Sequence, residues 1–533
     1  MNVDTLFRNG IVWTGRPCAP VADALLVRDG AIIAVGGDDT PVDEVVDLAG
    51  GCLLPAFGDG HAHPIFAGLE ALGPAITGLT SIPEIVAEVR RYARRHPSDD
   101  WIVGAHYDPT LAPDGAFDAR WLDEAVADRP VLLRASNYHS VWCNSEALRR
   151  AGVTAGSADP VSGRILRRAD GSPLGTLLEW GACALVLGLI SQRATEDIVR
   201  AAHAAGRTYA AAGVTWVQDA WVDPGTGMTE AYLAIAGAGA PDVRVSIALR
   251  ADPVDWQAQR AVFRTEQAKI RAACVEDLVA ARTVKFFADG IIESGTAALL
   301  DPYRDAPHSH GMLIWQPKAL TDAITAFDRD GYQVHIHAIG DAGVRAALDA
   351  TEHARRVNPP WDRRPVIAHV QLVHPHDLPR FTELGVIANF EPLWAQLDDA
   401  QTLLTLPRID AERGGHQYPM RAILDTGAAV SFGSDWPVSS PNPLAGIQVA
   451  VTRQNHETEP LPGTPLMVAQ ALTAYTAGPA HQAFADTSRG TLTVGRTADL
   501  VHLAANPLTE PETKIGAIEV VGTWLAGRRT YQG

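Results

Sequence analysis

The feature that most constrains the fold is an alternation of β-rich runs with Ala-rich helical runs along most of the chain. Helix-forming segments such as LTDAITAFDRDG and GVRAALDATEHARRV separate several of the β-rich runs. Alternating β and α units favour a parallel sheet, and eight units predict a (β/α)8 TIM-like barrel of the α/β class. The eight strand candidates are CLLPAF before His61, VTWVQDAW (214–221), VRVSIALRA (243–251), TVKFFADG (283–290), YQVHIHAIGD (332–341), PVIAHVQ (365–371), GVIANFEP (385–392) and AAVSFGSDWP (428–437).

The two ends of the chain have a different pattern. LFRNGIVWTG and ALLVRDGAIIAVGG are apolar runs interrupted by Asn-Gly and Asp-Gly, which suit tight hairpin turns, and short strands around glycine recur near the C-terminus. We therefore predict one small β-sandwich built from 1–57 and 484–533, with the barrel over 58–483. The interval from 66 to 200 is too long for a barrel crossover and is predicted to be an insertion after strand 1 that covers the barrel mouth as a lid.

Composition excludes several classes of partner. The net charge is −18 and no Lys/Arg-rich tract occurs, so binding to nucleic acid or to an anionic membrane is not expected. The most apolar segment, 181–190, is too short to span a bilayer. The five cysteines are scattered, which favours a reducing cytoplasm over a disulfide scaffold. We also expect a homo-oligomer, most simply a dimer.

The stretch GDGHAHP (58–64) places His61 and His63 two residues apart at the end of the first strand candidate. Residues i and i+2 of a strand point to the same face, so both imidazoles are expected to project together. Active sites of such barrels lie at the C-terminal strand ends. The last polar residues of the other candidates extend the set: Lys285, His337 (with His335 two residues earlier), His369 and Asp435.

Each of these residues also has an ordinary structural explanation. The lysine could snorkel, a strand histidine could be a satisfied core residue, and the aspartate could cap a turn. Six metal-compatible groups at the ends of five strands are nevertheless hard to explain in this way, because buried polar groups are costly unless they are used. The pattern therefore predicts a metal site at the barrel mouth.

With these residues in place, the chain resembles the amidohydrolase superfamily. The segments HAIGD (337–341), AHVQLVHPHDLPRF (368–381), GSDWPV (433–438) and NYHSVWCNSEAL (137–148) are similar to the branch called amidohydrolase family 3. That branch includes N-substituted formamide deformylases and many uncharacterised metal-dependent hydrolases. The resemblance spans nearly the whole chain, and it indicates the family more sharply than the substrate.

The resemblance implies a site with one or two divalent metal ions, most plausibly zinc. His61, His63 and Asp435 would bind the more buried ion, and His337 and His369 the other. A lysine desolvated near cations tends to lose its proton, and the neutral amine can then take up CO₂. The resemblance accordingly implies that Lys285, carboxylated on its side-chain nitrogen, bridges the two ions.

The reaction that the resemblance implies is hydrolysis of a non-peptide C–N bond, in an amide or N-substituted formamide, by metal-activated hydroxide. Asp435 would serve as general base and then as general acid. His139 would donate to the developing oxyanion, although it could equally well only pack beside Trp142. His335, Trp142 and Asn144 are expected around the site, as second-layer or substrate-contacting residues.

The substrate is expected to be a small molecule with an apolar or aromatic part, because the insertion and the barrel loops are rich in aromatic residues. Two other functions stay open. A mononuclear zinc deaminase of a heterocyclic base would also use the histidines and the aspartate, but it would not need Lys285. It would want a general-acid glutamate beside the metal ligand of strand 5, and HAIGD offers none. A barrel without catalysis, serving as an interaction protein, would have no reason to keep a complete ligand set.

Overall fold

The computed structural model describes residues 4–37, 41–191, 193–239, 241–454 and 459–533. Its centre is a sheet of eight parallel strands, and seven of the eight predicted strands are confirmed. The first is corrected, because CLLP forms the sandwich strand Cys52–Pro55, and barrel strand 1 is the next strand, Phe57–Ala62, which contains His61. The fold class expected from the alternation of β and α units is thus correct. The strands of the barrel, numbered 1 to 8, are Phe57–Ala62, Val214–Val222, Arg244–Arg250, Val279–Phe287, Gln333–Ala338, Val366–His369, Ile387–Phe390 and Val430–Phe432.

The eight strands are ordered as they occur in the chain, and each pairs in parallel with the next one. Strands 8 and 1 approach each other at the mouth, where Asp435 N donates to His61 O at 2.7 Å and His63 N donates to Trp436 O at 2.7 Å. Gly433 permits this approach, because a Cβ there would lie 2.7 Å from the His61 nitrogen. The first and last site residues are therefore tied together by backbone hydrogen bonds.

Helices follow the strands and cover the outside of the barrel. In Pro317–Arg329, for example, Leu320, Ala323, Ile324 and Phe327 are buried, which is the spacing of one apolar helix face. The helices between strands are Thr195–Ala211, Met228–Gly237, Trp256–Ala273, Pro317–Arg329, Asp341–Val357, Leu378–Leu384, Ala411–Gly415 and Met420–Asp425. Three more follow strand 8: Pro443–Thr452, Val468–Tyr475 and Ala477–Gln482.

The insertion after strand 1 has its own sheet and its own core. Its five strands lie in the order Arg164–Arg167, Pro173–Leu178, Ser140–Cys143, Val131–Ala135 and Ile102–Tyr107. The core on one face of this sheet contains Ile85, Val89 and Phe117 together with Tyr107 and Trp142 of the sheet itself. The helices of this region are Pro64–Glu70, Ile82–Arg95, Ala119–Asp123, Ser145–Arg150 and Glu179–Leu187.

Strands from both ends of the chain form two further sheets around a shared core. One sheet has the order Ala31–Val35, Leu25–Arg28, Thr5–Arg8, Glu44–Asp47. The other has the order Arg528–Gln532, Val520–Leu525, Leu500–Leu503, Cys52–Pro55, Ile11–Trp13, Val21–Ala22. Phe7, Leu53, Leu500 and Trp524 lie in the common core. The sandwich built from both termini is thus confirmed.

One of the two predicted hairpins at the N-terminus is wrong. Asp29-Gly30 does connect two paired antiparallel strands, Leu25–Arg28 and Ala31–Val35. Asn9-Gly10, in contrast, passes the chain from one sheet to the other, and the strands on its two sides are not paired with each other. The strand before it pairs with Leu25–Arg28 and the strand after it with Cys52–Pro55, and a Cβ at Gly10 would lie 2.5 Å from the Leu48 Cβ, so the close packing here requires glycine.

Two further observations concern the surroundings of the protein. In the described part of the chain, no helix is long and apolar enough to cross a membrane. All five cysteines are unpaired, and three of them are buried.

Candidate active site

The barrel brings its polar strand-end residues to one place. Strand pairing sets Lys285 level with His335, and Phe287 level with His337. Ala338 is in turn level with His369 on the next strand. Three neighbouring strands therefore deliver their polar side chains to successive layers at the same end of the barrel.

The tightest group consists of His61, His369 and Asp435, whose ligand atoms all lie within 4.8 Å of one another. His63 Nε2 lies 3.0 Å from Asp435 Oδ1, and Lys285 Nζ lies 3.3 Å from His61 Nε2. The remaining predicted ligand, His337, lies beside this group, with its ring centroid 4.5 Å from that of His369. All six predicted metal ligands are buried here.

Neighbouring groups orient the imidazoles. His61 Nδ1 lies 2.8 Å from His335 Nε2, and His369 Nδ1 lies 2.8 Å from a carboxylate oxygen of Glu391. These contacts occupy the Nδ1 atoms and leave the Nε2 atoms of His61 and His369 turned toward the group. Histidine ligands of metals commonly donate their other ring N–H to a carboxylate in this way. His335 thus contacts the predicted ligand His61 directly, which is the position expected of a residue that supports a metal ligand from behind.

Burial sets the protonation of the site. It lowers the pKa of the His61, His337 and His369 imidazoles well below the ordinary value, so these rings are neutral and carry a lone pair. Burial also lowers the pKa of Lys285 to about 7, which makes its neutral amine accessible near neutral pH. A cation needs neutral imidazoles and ionised carboxylates as ligands. The residues present therefore fit a divalent metal ion.

The backbone is left-handed at two of these positions. His369 has φ 75° and Asp435 has φ 52°, values that non-glycine residues seldom adopt. Such conformations cost about 1–3 kcal/mol each and persist only where the surrounding structure enforces them. Here they turn the two side chains out of the ends of strands 6 and 8 and into the group.

His139 reaches the same place from the insertion. It lies between the strands Val131–Ala135 and Ser140–Cys143, and its ring centroid is 5.0 Å from that of His337. Its Nδ1 lies 2.8 Å from Glu179 Oε2. The insertion therefore brings His139 beside the strand-end residues of the barrel.

A cavity of about 650 Å³ opens over this group. We call it the histidine cavity, after His139, His337 and His369, which line it together with Asp435. Apolar residues contribute a large part of its wall. They include Leu79, Pro109, Ile291, Ile339, Leu393, Trp394 and Leu404. Its size falls within the range of about 300–1,000 Å³ that is usual for small-molecule sites.

Comparison with known proteins identifies the family. Residues 44–531 match the amidohydrolase family, which is nearly the whole chain. The protein belongs to the amidohydrolase family. It is accordingly an enzyme, a hydrolase of carbon–nitrogen bonds from a metal-dependent family, and the alternative of a barrel without catalysis is wrong.

Several proteins are similar to this amidohydrolase along their whole length. "Protein LONG AFTER FAR-RED 3" of Arabidopsis thaliana is 29% identical over 99% of this chain and 91% of its own. An N-substituted formamide deformylase of Arthrobacter pascens is 25% identical over 99% of this chain and 98% of its own. An uncharacterised metal-dependent hydrolase from Pyrococcus horikoshii has the same fold, with a TM-score of 0.72 at 22% identity over 96% and 99% of the two chains.

Two residues predicted near the site of the amidohydrolase lie elsewhere. Trp142 is in the core of the insertion, where its Nε1 donates to the Asp118 carbonyl at 2.9 Å. Asn144 caps the helix Ser145–Arg150 by accepting from Ala147 N, and it also accepts from Val131 N. Neither side chain lines the histidine cavity. The prediction that they lie beside the substrate is therefore wrong. Both residues stabilise the insertion at the strand that follows His139.

Two buried glutamates of the site were missed in the sequence. Glu391 directly follows strand 7, so the rule that selects the last polar residue of each strand would have found it in GVIANFEP. Glu179 begins a helix at the end of the insertion strand Pro173–Leu178, with φ 61° and no exposed surface. Its other carboxylate oxygen accepts from the Thr296 hydroxyl at 2.5 Å. Glu179 can be assigned to the site only from its contact with His139, which the sequence pattern does not show.

Proposed function

We propose that this amidohydrolase hydrolyses the C–N bond of small N-substituted amides, and that N-substituted formamides are the first class to test. The observation that carries the proposal is the convergence of Asp435 with His61 and His369 beneath a cavity that His139 enters from the other side. The Arthrobacter relative, named a deformylase of N-substituted formamides, supports this choice of substrate class.

The metal ligands would divide into two sets. His61, His63 and Asp435 would hold one divalent ion, and His337 and His369 a second, with a carboxylated Lys285 between them. Imidazole and carboxylate ligands suit zinc. When bound, such ions lower the pKa of water toward neutrality and polarise a carbonyl group.

Asp435 is placed to move the proton. Burial opposes its ionisation, but the hydrogen bond and the charge of His63 outweigh burial, and the pKa of Asp435 lies below its ordinary value. An ionised carboxylate can accept the proton of the attacking water and pass it to the departing nitrogen. The products are then a carboxylic acid, or formic acid from a formamide, and an amine.

His139 is placed to donate a hydrogen bond to the carbonyl oxygen. Burial alone would lower the pKa of His139, but the buried Glu179 carboxylate outweighs burial and raises it. Because Nδ1 is engaged by Glu179, Nε2 is the ring atom that can serve the substrate. A donor fixed in this way stabilises negative charge as it develops on the oxygen.

The lining of the histidine cavity supports a neutral or cationic substrate with an apolar part. Trp394 stacks on His369 at a centroid distance of 5.3 Å and provides an aromatic wall. In the described chain, the charged residues of the lining are all carboxylates, and no lysine or arginine is among them: Asp108, Glu293, Asp398, Asp399 and Asp435. A substrate with its own carboxylate would be repelled.

The decisive experiment combines metal analysis with a substrate panel. We expect about two equivalents of divalent metal per chain and turnover of N-formyl or N-acyl amines carrying an aromatic group. Active, unchelated protein without a transition metal would refute the metal assignment. One equivalent together with release of ammonia from a heterocyclic base would favour the deaminase alternative. Failure of every amide and formamide in the panel would refute the substrate class.

The homodimer and the cytoplasmic location remain predictions from the sequence. Sedimentation of the purified protein tests the first, and fractionation of the producing cells tests the second. Unpaired cysteines, three of which are buried, are compatible with a reducing compartment.

A further inference from the structure

A second cavity, of about 690 Å³, lies between the insertion and the barrel. We call it the arginine cavity. Leu132 and Arg134 line it from one face of an insertion strand, and Trp221 and Phe287 line it from the ends of strands 2 and 4. It is as large as the histidine cavity, and none of the predicted metal ligands lines it.

Arg134 is the central residue of this cavity. Its guanidinium carbon lies 4.8 Å from the ring centroid of Tyr138, 5.6 Å from that of Phe66 and 5.9 Å from that of Trp180. Three aromatic rings thus hold the guanidinium in place by cation–π contacts. The side chain is half-buried and extends from the strand into the cavity rather than into bulk solvent.

The guanidinium N–H groups of Arg134 are not used as hydrogen-bond donors within the described chain. Within the described ranges, no carboxylate lies within 4.0 Å of it, and its side chain makes no hydrogen bond. Arg250 of the same cavity differs, because its Nε donates to Asp223 at 2.8 Å and Asp252 lies 3.7 Å from it. The guanidinium N–H groups of Arg134 are therefore available to a hydrogen-bond acceptor that enters the cavity.

The other charges of the lining do not supply that acceptor. Glu70 accepts from the Tyr138 hydroxyl. Burial raises the pKa of Glu70 to about 7, so at neutral pH the carboxyl is protonated about half of the time. Asp223 and Asp252 are engaged by Arg250, and Arg193 at the rim is exposed.

We propose that the arginine cavity binds a small organic monocarboxylate with an apolar or aromatic body, and that Arg134 holds the carboxylate. The planar guanidinium presents paired donors that match the two oxygens of a carboxylate. The apolar body would lie against Trp221 and Phe287 at the barrel strand ends and against Leu132, which neighbours Arg134 on the insertion strand.

The aromatic wall of this cavity also touches the site. Phe66 stacks on His63 at 5.7 Å, and Trp180 lies 6.0 Å from His139, both between ring centroids. An occupant of the arginine cavity would thus lie one aromatic ring away from two residues of the proposed active site. Binding at Arg134 does not require turnover, so its test stands whether or not the protein hydrolyses amides.

Calorimetric titration of the metal-loaded protein with phenylacetate tests the proposal. We expect binding with a Kd of about 1 mM or tighter. The neutral isostere phenylacetamide should bind about tenfold more weakly, and Arg134→Met should weaken phenylacetate binding by about the same factor. In Arg134→Met the two probes should bind equally. Arg193→Met removes an exposed cation from the rim and is the matched control, with less than about a twofold effect expected.

Three results would overturn the proposal. The first is phenylacetate binding that Arg134→Met leaves unchanged, which would place the ligand at the metal ions. The second is equal binding of phenylacetate and phenylacetamide to the unaltered protein. The third is much tighter binding of phenyl phosphate, which would make the ligand a phosphomonoester. Should Arg134→Met fail to fold, Arg134→Lys keeps the charge without the planar fork and should show a partial loss.

Discussion

The two cavities beside the barrel mouth have nearly the same volume, but they have no described lining residue in common and their charges differ. The described lining of the histidine cavity contains imidazoles and carboxylates but no lysine or arginine, whereas Arg134 is the central residue of the arginine cavity. Since both are enclosed by apolar residues, shape alone would not assign them different ligands. The comparison teaches that charge, rather than size, distinguishes the two cavities, and the two proposals follow from this difference: a neutral amide for the histidine cavity and a carboxylate for the arginine cavity.

Lys285→Ala should have the largest effect, and it should affect the histidine cavity but not the arginine cavity. Lys285 is proposed to join two metal ions, so its removal should abolish detectable turnover and release at least one equivalent of metal, while phenylacetate binding at Arg134 persists. Kinetics and elemental analysis of the folded variant measure both. Lys318→Ala, at an exposed lysine, is the matched control. Normal metal content and normal turnover in Lys285→Ala would show that Lys285 is only a strand residue.

His139→Ala should lower kcat by about 10²–10³, the usual loss for one oxyanion donor, without changing metal content. His308→Ala, at an exposed histidine, provides the control. A rise in KM alone would make His139 a binding residue, and no change in either constant would contradict the lid hypothesis.

Glu179→Gln tests whether the buried carboxylate acts through His139. We expect it to lower kcat by less than His139→Ala does, because the histidine remains but loses its charged partner. In the His139→Ala background the same change should have no further effect on kcat. Additive losses in the double variant would mean that Glu179 only stabilises the fold.

The charge difference between the cavities predicts a selectivity of about tenfold. N-phenethylformamide should be a better substrate than its ring-carboxylated analogue, because Glu293 and its acidic neighbours repel an anion. Glu293→Gln should raise kcat/KM for the carboxylated analogue by about tenfold and leave the neutral substrate nearly unchanged. Glu412→Gln, at an exposed position, is the control. Equal gains for both substrates would argue against a charge effect.

The smallest expected effect concerns pH in the arginine cavity. Because the pKa of Glu70 is raised to about 7, its negative charge appears as the pH rises from 6 to 8. A charged Glu70 would repel the bound carboxylate, so phenylacetate affinity should fall by about threefold over this interval. Glu70→Gln should remove the dependence. Affinity that rises with pH, or that keeps the same slope in the variant, would contradict the assignment.

Much of this molecule could be predicted from local patterns. The period of the β-rich and helical runs was sufficient for seven of the eight strands, because side-chain alternation is a property of each segment. The first was misplaced, since nothing local to CLLPAF tells the sandwich strand Cys52–Pro55 from the barrel strand Phe57–Ala62. The ligand candidates could also be found locally, since a parallel barrel brings all its strand ends to one face. Glu391 could have been found by the same rule. The Asn9-Gly10 turn could not, because its two flanking strands pair with different segments elsewhere in the chain, Leu25–Arg28 and Cys52–Pro55, rather than with each other.

The sequence by itself determined the barrel, the sandwich from both termini, the insertion and the set of six metal-compatible residues. Only the tertiary structure decided which groups contact one another: Glu179 with His139, Glu391 with His369, and Arg134 with three aromatic rings. It also moved Trp142 and Asn144 from the expected site into the insertion core. The physical reason is that periodicity and residue chemistry are encoded within a segment, whereas burial and pairing arise between segments that are far apart in the chain.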